Sequence, residues 1–161
     1  MFSTALPPFD PRVWSANWAW SLPLIVLTVV IHVLGLGLIN HRATRVSRPA
    51  KERRHPTAAF VVIMGATTFA ATILHGIEAA IWAVSFRLLG ALPDQRSAML
   101  YSLSAITSYG HANLFLEAHW QLMGAMEALN GWLLFGLTTA FLFSMMEKVR
   151  SLAGKESSQG Q

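Results

Sequence analysis

The chain has 161 residues, of which 53% are hydrophobic and only 12% are charged, with 12 Lys and Arg against 8 Asp and Glu. Soluble domains carry about 25% charged residues, so this composition argues against an ordinary soluble domain, and the absence of Cys excludes disulfides, a thiolate nucleophile and a Cys-ligated metal. Four runs contain no Asp, Glu, Lys or Arg, at 13–41, 55–77, 97–116 and 128–146. Uninterrupted apolar segments of about 18 residues or more are typical of membrane spans, so the sequence predicts an integral membrane protein.

The first span is predicted at about residues 18–39. Trp14, Trp18 and Trp20 are grouped at one end of it, as aromatic residues are at a membrane interface. No cluster of positive charge precedes this apolar run, and the run is too long for a cleavable signal sequence. We therefore expect a retained first span.

A basic connector follows at residues 41–56, HRATRVSRPAKERRHP, and it has no apolar period. Six of the twelve Lys and Arg residues fall between 42 and 54. Because short loops rich in Lys and Arg stay in the cytoplasm, the N-terminus is predicted to lie outside. A connector held between two spans favours contact with anionic lipid head groups, so we expect membrane lipid and no nucleic acid as its partner.

The second span is predicted at residues 57–89, and a break at 92–94 ends it. Asp94 is suited to cap a helix that starts near Gln95. The apolar piece that follows has only about 11 residues, or roughly 16 Å of helix, which is half of what a crossing needs. This length predicts a re-entrant half-helix over 95–107.

A loop rich in Ser, Gly, Asn and His occupies 108–118, and the last span is predicted at 119–147, before a short polar tail. Three full spans from an outside N-terminus put this basic tail in the cytoplasm. Irregular backbone at membrane depth is tolerated only where it is buried in protein or lines a watery cavity. Span, half-helix, loop and span in this order are the layout of an ion-channel pore domain.

Residues 72–150 resemble the two-helix pore module of potassium-channel-like proteins, particularly small bacterial members with an extra N-terminal span. WQLMGAMEALNGWLLFGLTTAFLFSMME, at 120–147, is similar to their inner helix, and HGIEAAIWA, at 75–83, is similar to their outer helix. The resemblance implies a homotetramer in which each subunit gives a quarter of a selectivity filter. It also implies a permeant monovalent cation, K⁺ or Na⁺, with no cofactor, no small-molecule substrate and no enzymatic activity.

The filter of this family reads T-V-G-Y-G-D, and alignment without a gap places Ser-Tyr-Gly-His-Ala-Asn on it. The resemblance then implies transient cation coordination by Ser108, Tyr109, Gly110, His111 and Ala112, with Asn113 at the filter mouth. A Cβ in a glycine-like conformation costs on the order of 1–2 kcal/mol, so Ala112 predicts relaxed selectivity. In a rival register, the alignment is shifted by one residue and places Ser-Tyr-Gly-His on G-Y-G-D. This register lacks the first filter glycine, whereas the ungapped register lacks the second. The ungapped register is preferred.

Two carboxylates lie in apolar spans, Glu78 and Glu127. A carboxylate near the bilayer centre costs roughly 2.5–3.5 kcal/mol on insertion scales and usually faces protein or water. We expect both to brace the filter by accepting hydrogen bonds from Ser102, Ser104 or the loop. A direct ion site and a proton-sensing switch are the alternatives.

The resemblance places Gly131 where the inner helix of the family bends, which makes it a candidate gating hinge. In the ungapped register, the four copies of His111 in a tetramer surround the outer pore. Imidazoles at this position predict conduction that depends on pH. The alternative for His111 is packing behind the filter.

A second interpretation is a membrane haem- or metal-binding bundle. His32, His75 and His119 are candidate ligands, since imidazoles that face a bundle interior are good axial ligands. His75 and Glu78 share a face of the second span at i and i+3, so together they resemble half of a carboxylate–histidine metal site. A non-conducting relative of the channels is a further alternative.

The predicted fold is an all-α, multi-pass protein of the cell (inner or plasma) membrane, with the C-terminus in the cytoplasm. Its parts are an outside segment with the first span (1–40), a basic cytoplasmic connector (41–56), a pore domain (57–147) and a cytoplasmic tail (148–161). The pore domain comprises an outer helix (57–89), a pore half-helix (95–107), a filter loop (108–118) and an inner helix (119–147).

Overall fold

The structure, a computed structural model, describes residues 10–50, 56–110 and 113–154. These residues form α1 (Pro11–Ala50), α2 (Pro56–Leu88), α3 (Gln95–Ile106), a single turn of 3-10 helix (Ala118–Trp120) and α4 (Gln121–Gly154). None of the described residues lies in a β-strand. Three helices, α1, α2 and α4, are long and apolar enough to cross a membrane. For the described residues, the predictions of an all-α fold and of three helices able to span a membrane are confirmed.

Two helices extend further than the apolar runs. Helix α1 continues to Ala50, so the first ten residues of the predicted connector are helical, and residues 51–55 lie outside the described part. Helix α4 continues to Gly154, which makes the start of the polar tail helical as well. Hydropathy locates only the part of a helix that suits lipid, whereas the backbone hydrogen bonds of a helix continue into polar sequence.

The chain divides into two compact units, and the first contains α1 up to Val29 together with Glu78–Trp132. Its apolar core joins residues from all four helices and from the two loops beside α3. The core residues are Leu24, Trp82, Ala83, Phe86, Ala91, Leu92, Ala98, Leu116 and Met123. Because α3 is only 12 residues long, its position depends on this packing rather than on helix propensity.

One polar side chain, Asn17, ties the beginning of α1 to the beginning of α4. Its amide nitrogen donates to the carbonyl of His119 at 2.6 Å, and its amide oxygen accepts from the backbone N–H of Met123 at 2.8 Å. The first turn of a helix has N–H groups without intrahelical partners. Asn17, which is buried, supplies a partner for one of those groups in α4.

The second unit comprises Val30–Ile77 and the chain from Leu133 onward. Gly35 of α1 packs directly against α2 in this unit, since a Cβ there would lie 2.6 Å from Cδ2 of Leu74. Small residues allow membrane helices to approach closely. The buried apolar residues of this unit are Leu36, Ile63, Ala71, Leu74, Leu134 and Met145.

Candidate functional site

The start of α3 is fixed by Asp94, as the sequence predicts. The Asp94 carboxylate accepts hydrogen bonds from the backbone N–H of Ser97 at 2.9 Å and from its hydroxyl at 2.6 Å. The hydroxyl bond from Ser97 is the main cause that lowers the pKa of the Asp94 carboxyl below its ordinary value, and the backbone bond adds to it. This cap satisfies one of the free N–H groups in the first turn.

The carboxyl end of α3 closes in a Schellman motif. The N–H of Tyr109 donates to the carbonyl of Ser104 at 2.9 Å, and the N–H of Ser108 donates to the carbonyl of Ala105 at 2.9 Å. This motif needs a left-handed residue, usually glycine, yet Ser108 holds the position with φ of 55°. The Ser108 hydroxyl accepts a hydrogen bond from the indole N–H of Trp132 at 3.0 Å, which stabilises the strained turn.

The backbone is left-handed again two residues later, where Gly110 has φ of 77°. The side chains from Thr107 to Gly110 are exposed in the single chain, and Tyr109 reaches 85% exposure. His111 and Ala112 lie outside the described residues, and Asn113 is exposed. The loop therefore presents hydroxyls and backbone to its surroundings, together with the aromatic side chains of Tyr109 and Phe115.

A buried carboxyl supports α3 from behind. Glu127 of α4 is fully buried, and its Oε1 accepts a hydrogen bond from the hydroxyl of Ser102 on α3. The same hydroxyl lies 2.6 Å from the carbonyl of Ala79 on α2, so Ser102 connects α3 to two spans. Ser104 instead donates to Leu100 of its own helix.

Glu78 is also fully buried and directly precedes Ala79, the residue whose carbonyl lies beside the Ser102 hydroxyl. The second oxygen of Glu127, Oε2, has no hydrogen-bond partner among the described residues, and neither has Oδ1 of Asn130. Glu127 and Asn130 are three residues apart, so these two acceptors share one face of α4.

Gly131 lies where α3 ends against α4. A Cβ at Gly131 would lie 2.0 Å from the carbonyl oxygen of Ile106 and 2.8 Å from its carbon. The contact is with backbone, so a side-chain rotation cannot relieve it. Close packing thus gives Gly131 a structural reason to be glycine, and its proposed role as a hinge stays a prediction.

Two of the candidate histidine ligands meet around one threonine. Nε2 of His32 lies 3.0 Å from the hydroxyl oxygen of Thr138, and Nε2 of His75 lies 3.1 Å from the same oxygen. The two ring centroids are 5.1 Å apart. Glu78 follows His75 by one turn of α2.

The third histidine candidate does not join this group. His119 is exposed, and its carbonyl accepts a hydrogen bond from the side-chain amide of Asn17. Sequence reasoning missed Asn17, Thr28, Asn130 and Thr138, all of them buried polar residues. Asn130 donates to the Thr28 hydroxyl at 2.8 Å. The available signal was a polar residue within an apolar span, which usually faces the protein interior.

Together these features define an integral membrane protein with a helical bundle, a short capped helix beside its last span, and buried carboxyl and imidazole groups. Comparison with known protein families, curated proteins and solved structures found no match for this chain. The function is therefore argued from the site.

Proposed function

We propose that this protein is the subunit of a homotetrameric pore for monovalent cations, with the α3–α4 loop as its filter and with relaxed selectivity. One observation carries the proposal, namely irregular, polar and exposed backbone beside the middle of a spanning helix. Three supporting steps follow from depth, electrostatics and backbone conformation.

The depth of the loop follows from helix arithmetic. The carboxyl end of α3 packs against Gly131, which comes ten residues after the start of α4 at Gln121. Ten residues of α-helix are about 15 Å long, and the hydrocarbon core is about 30 Å thick. If the hydrocarbon core begins near the start of α4, α3 ends near the middle of the bilayer. The loop after α3 then returns to the side from which α3 entered.

Lipid is an unsuitable neighbour for the loop at this depth. Thr107, Ser108 and Gly110 are exposed in the single chain, and backbone that is neither helix nor barrel is not exposed to lipid in natural membrane proteins. The loop must face water or other protein. Because one loop cannot surround an ion, copies of the chain around a common axis satisfy both requirements.

The electrostatics of the loop favour a cation. The C-terminal end of a helix carries about half a negative charge, and such helix ends coordinate cations in the membrane interior. Residues 97–116 contain no Lys or Arg that would oppose this field. Glu127, through Ser102, holds α3 so that its end keeps this direction.

The backbone conformation of the described loop residues is compatible with a filter. The G-Y-G pair of the family has glycines two residues apart, and the positive φ values of 55° at Ser108 and 77° at Gly110 have the same spacing. The slid register, which places Ser108 and Gly110 on the two glycines, is consistent with both values. The ungapped register places Gly110 on the first glycine, and its second position, Ala112, lies outside the described residues. In the slid register the strained residue is Ser108.

The proposed topology keeps the N-terminus outside and the C-terminus in the cytoplasm of a cell membrane. It rests on the six basic residues between 42 and 54 and on the preference of such segments for the cytoplasmic side. The same segment is a proposed contact for anionic lipid.

The test is cation flux from liposomes that contain the purified protein under opposed K⁺ and Na⁺ gradients. We expect the wild type to pass both ions. Ser108→Gly should raise the ratio of K⁺ to Na⁺ flux, because it removes the Cβ from a left-handed filter position. Ala112→Gly tests the ungapped register in the same way. Ala118→Gly is the matched control, because Ala118 lies in the 3-10 turn, beyond the residues aligned with the filter sequence (108–113).

An effect of Ala112→Gly without an effect of Ser108→Gly would support the ungapped register. If neither the wild type nor the two glycine variants pass K⁺ or Na⁺, although they are oligomeric in the liposomes, the conducting pore is refuted. The non-conducting relative would then be the better proposal.

A further inference from the structure

A groove between α1 and α4 lies entirely within the second unit, and the proposed pore does not use it. Its volume is about 140 Å³. The lining residues that carry the argument are Gly37 and Asn40 of α1 and Phe141, Ser144 and Lys148 of α4. Gly37, Ser144 and Lys148 are exposed, so the groove opens on the outer surface of the single chain.

Polar and apolar side chains are separated along this groove. Nζ of Lys148 donates to Oδ1 of Asn40 at 3.4 Å, which places these two polar groups at one level. Ser144 lies about 6 Å before Lys148 along the axis of α4, and Phe141 lies about 10 Å before it. The lining therefore changes from charged, through hydroxyl, to apolar, which is the order of the groups in an amphiphile.

The polar end of the groove coincides with the end of the uncharged sequence in both helices. The uncharged run of α1 ends before Arg42, and that of α4 ends before Glu147. The bond between Asn40 and Lys148 lies within two residues of both points. If α1 and α4 cross a membrane, this end of the groove lies at the level of the lipid head groups, and its apolar end lies in the hydrocarbon.

We propose that the groove binds one anionic phospholipid, with the phosphate at Lys148 and Asn40 and the first part of an acyl chain against Gly37 and Phe141. A lysine ammonium attracts phosphate through its charge, and the amide of Asn40 adds N–H donors at the same level. A cavity of about 150 Å³ accommodates a molecule of the size of benzene, so a groove of about 140 Å³ accommodates a short length of acyl chain.

The charges at this end of the second unit favour an anionic head group over a zwitterionic one. Helix α1 contains no Asp or Glu, and its Arg42 and Arg45 are exposed two and five residues after Asn40. The opposing charge on α4 is the exposed Glu147, which precedes Lys148. The site deepens the lipid contact proposed above for residues 41–56 and rests on that proposal, but it does not require conduction.

The test is native mass spectrometry of the purified full-length protein in detergent, titrated with phosphatidylglycerol, phosphatidylcholine or inorganic phosphate. We expect the first phosphatidylglycerol on each chain to bind at least about 5-fold more tightly than phosphatidylcholine, the factor for one basic residue near an anionic surface. Inorganic phosphate at the same concentration should not bind, because it has no acyl chain to place in the groove.

Substitutions of Lys148 test the polar end of the groove. Lys148→Gln should weaken the binding of phosphatidylglycerol about 5-fold and leave that of phosphatidylcholine unchanged. Lys148→Arg, which keeps the charge, should preserve the affinity. Arg12→Gln is the matched control, because it removes the same charge from an exposed residue at the opposite end of α1.

Gly37→Leu tests the apolar end. A Cβ at Gly37 meets no atom within 4 Å, so the larger side chain occupies the groove without a clash at its Cβ. Binding of both lipids should weaken by roughly 15-fold, which corresponds to the loss of two buried methylene groups. Gly65→Leu on α2, where a Cβ also meets no atom within 4 Å, lies outside the groove and should change neither affinity.

Weaker binding of phosphatidylglycerol in Lys148→Gln and Gly37→Leu, with retention in Arg12→Gln and Gly65→Leu, supports the site. An equal loss in Lys148→Gln and Arg12→Gln overturns it, because net charge alone then explains the attraction. Equal binding of the two lipids, or an unchanged affinity in Gly37→Leu, also overturns it. None of these outcomes depends on cation flux, so the failure of the lipid site and the failure of the pore are distinguishable.

Discussion

Gly131→Ala is the substitution for which the structure gives the most definite geometry. The new Cβ would lie 2.0 Å from the Ile106 carbonyl oxygen, below the 3.0 Å under which real Cβ contacts essentially do not occur. The carboxyl end of α3 must therefore move by at least about 1 Å. Gly136→Ala on the same helix is the matched control, because a Cβ at Gly136 meets no atom within 4 Å.

The expected magnitude combines two opposing effects. Replacing glycine by alanine within a helix stabilises it by about 1 kcal/mol, whereas overpacking a close contact costs about 1–3 kcal/mol. The clash at Gly131 is with backbone, so the upper end of that range applies. Gly131→Ala should lower the free energy of unfolding by about 2 kcal/mol, and Gly136→Ala should raise it by up to about 1 kcal/mol.

The assay is denaturant-induced unfolding in mixed micelles, with helix content as the signal. Comparing the two variants removes the shared propensity effect and isolates the contact with Ile106. If both variants stabilise the protein by the same amount, α3 does not pack on Gly131 as described. The hinge interpretation of Gly131 would then be the better reason for its glycine.

Three other substitutions test the contacts that hold α3 and α4. Ser102→Ala should cost about 1–3 kcal/mol, because the buried Glu127 carboxyl loses its donor, whereas Ser104→Ala, which removes a bond within one helix, should cost less in the same unfolding assay. Asp94→Ala should lower the melting temperature and Asp94→Asn should largely preserve it. The pKa of Asp94 is lowered in the folded state, so its carboxylate stabilises the protein at pH values above the unfolded pKa of about 3.9. Melting temperatures measured over a pH series should show that this stabilisation is lost as the pH falls through the folded pKa. Asn17→Leu should cost about 1–3 kcal/mol by leaving a buried N–H of α4 without an acceptor, and faster proteolysis near residue 120 would report the loosened end.

The long helices could be predicted from the sequence, because a segment that crosses lipid must satisfy its backbone hydrogen bonds internally. Runs without charge, such as 13–41 and 128–146, have few alternatives to a spanning helix. The helical continuation of α1 to Ala50 was not predictable by the same means. Polar helix and polar loop have similar compositions, and hydropathy does not distinguish them.

The contacts around α3 were only partly predictable. A carboxyl at Glu127 in an apolar span indicates a buried partner, and Ser102, Ser104 and the loop were the candidates. The choice among them depends on the rotation of α3 against α4. The backbone contact of Gly131 has no signal in one sequence. Its glycine is equally consistent with a bend, with helix packing or with an exposed face.

The hydrogen bonds of Asn17 also bear on the order in which this protein is built. They join residues 102 and 106 positions apart in the chain, so they cannot form until the start of α4 has been synthesised. At about 5–20 residues per second, the ribosome needs roughly 5–20 s for the intervening segment. During that interval α1 has no partner for this amide in α4, and the first helix is locked in place only after the last one arrives.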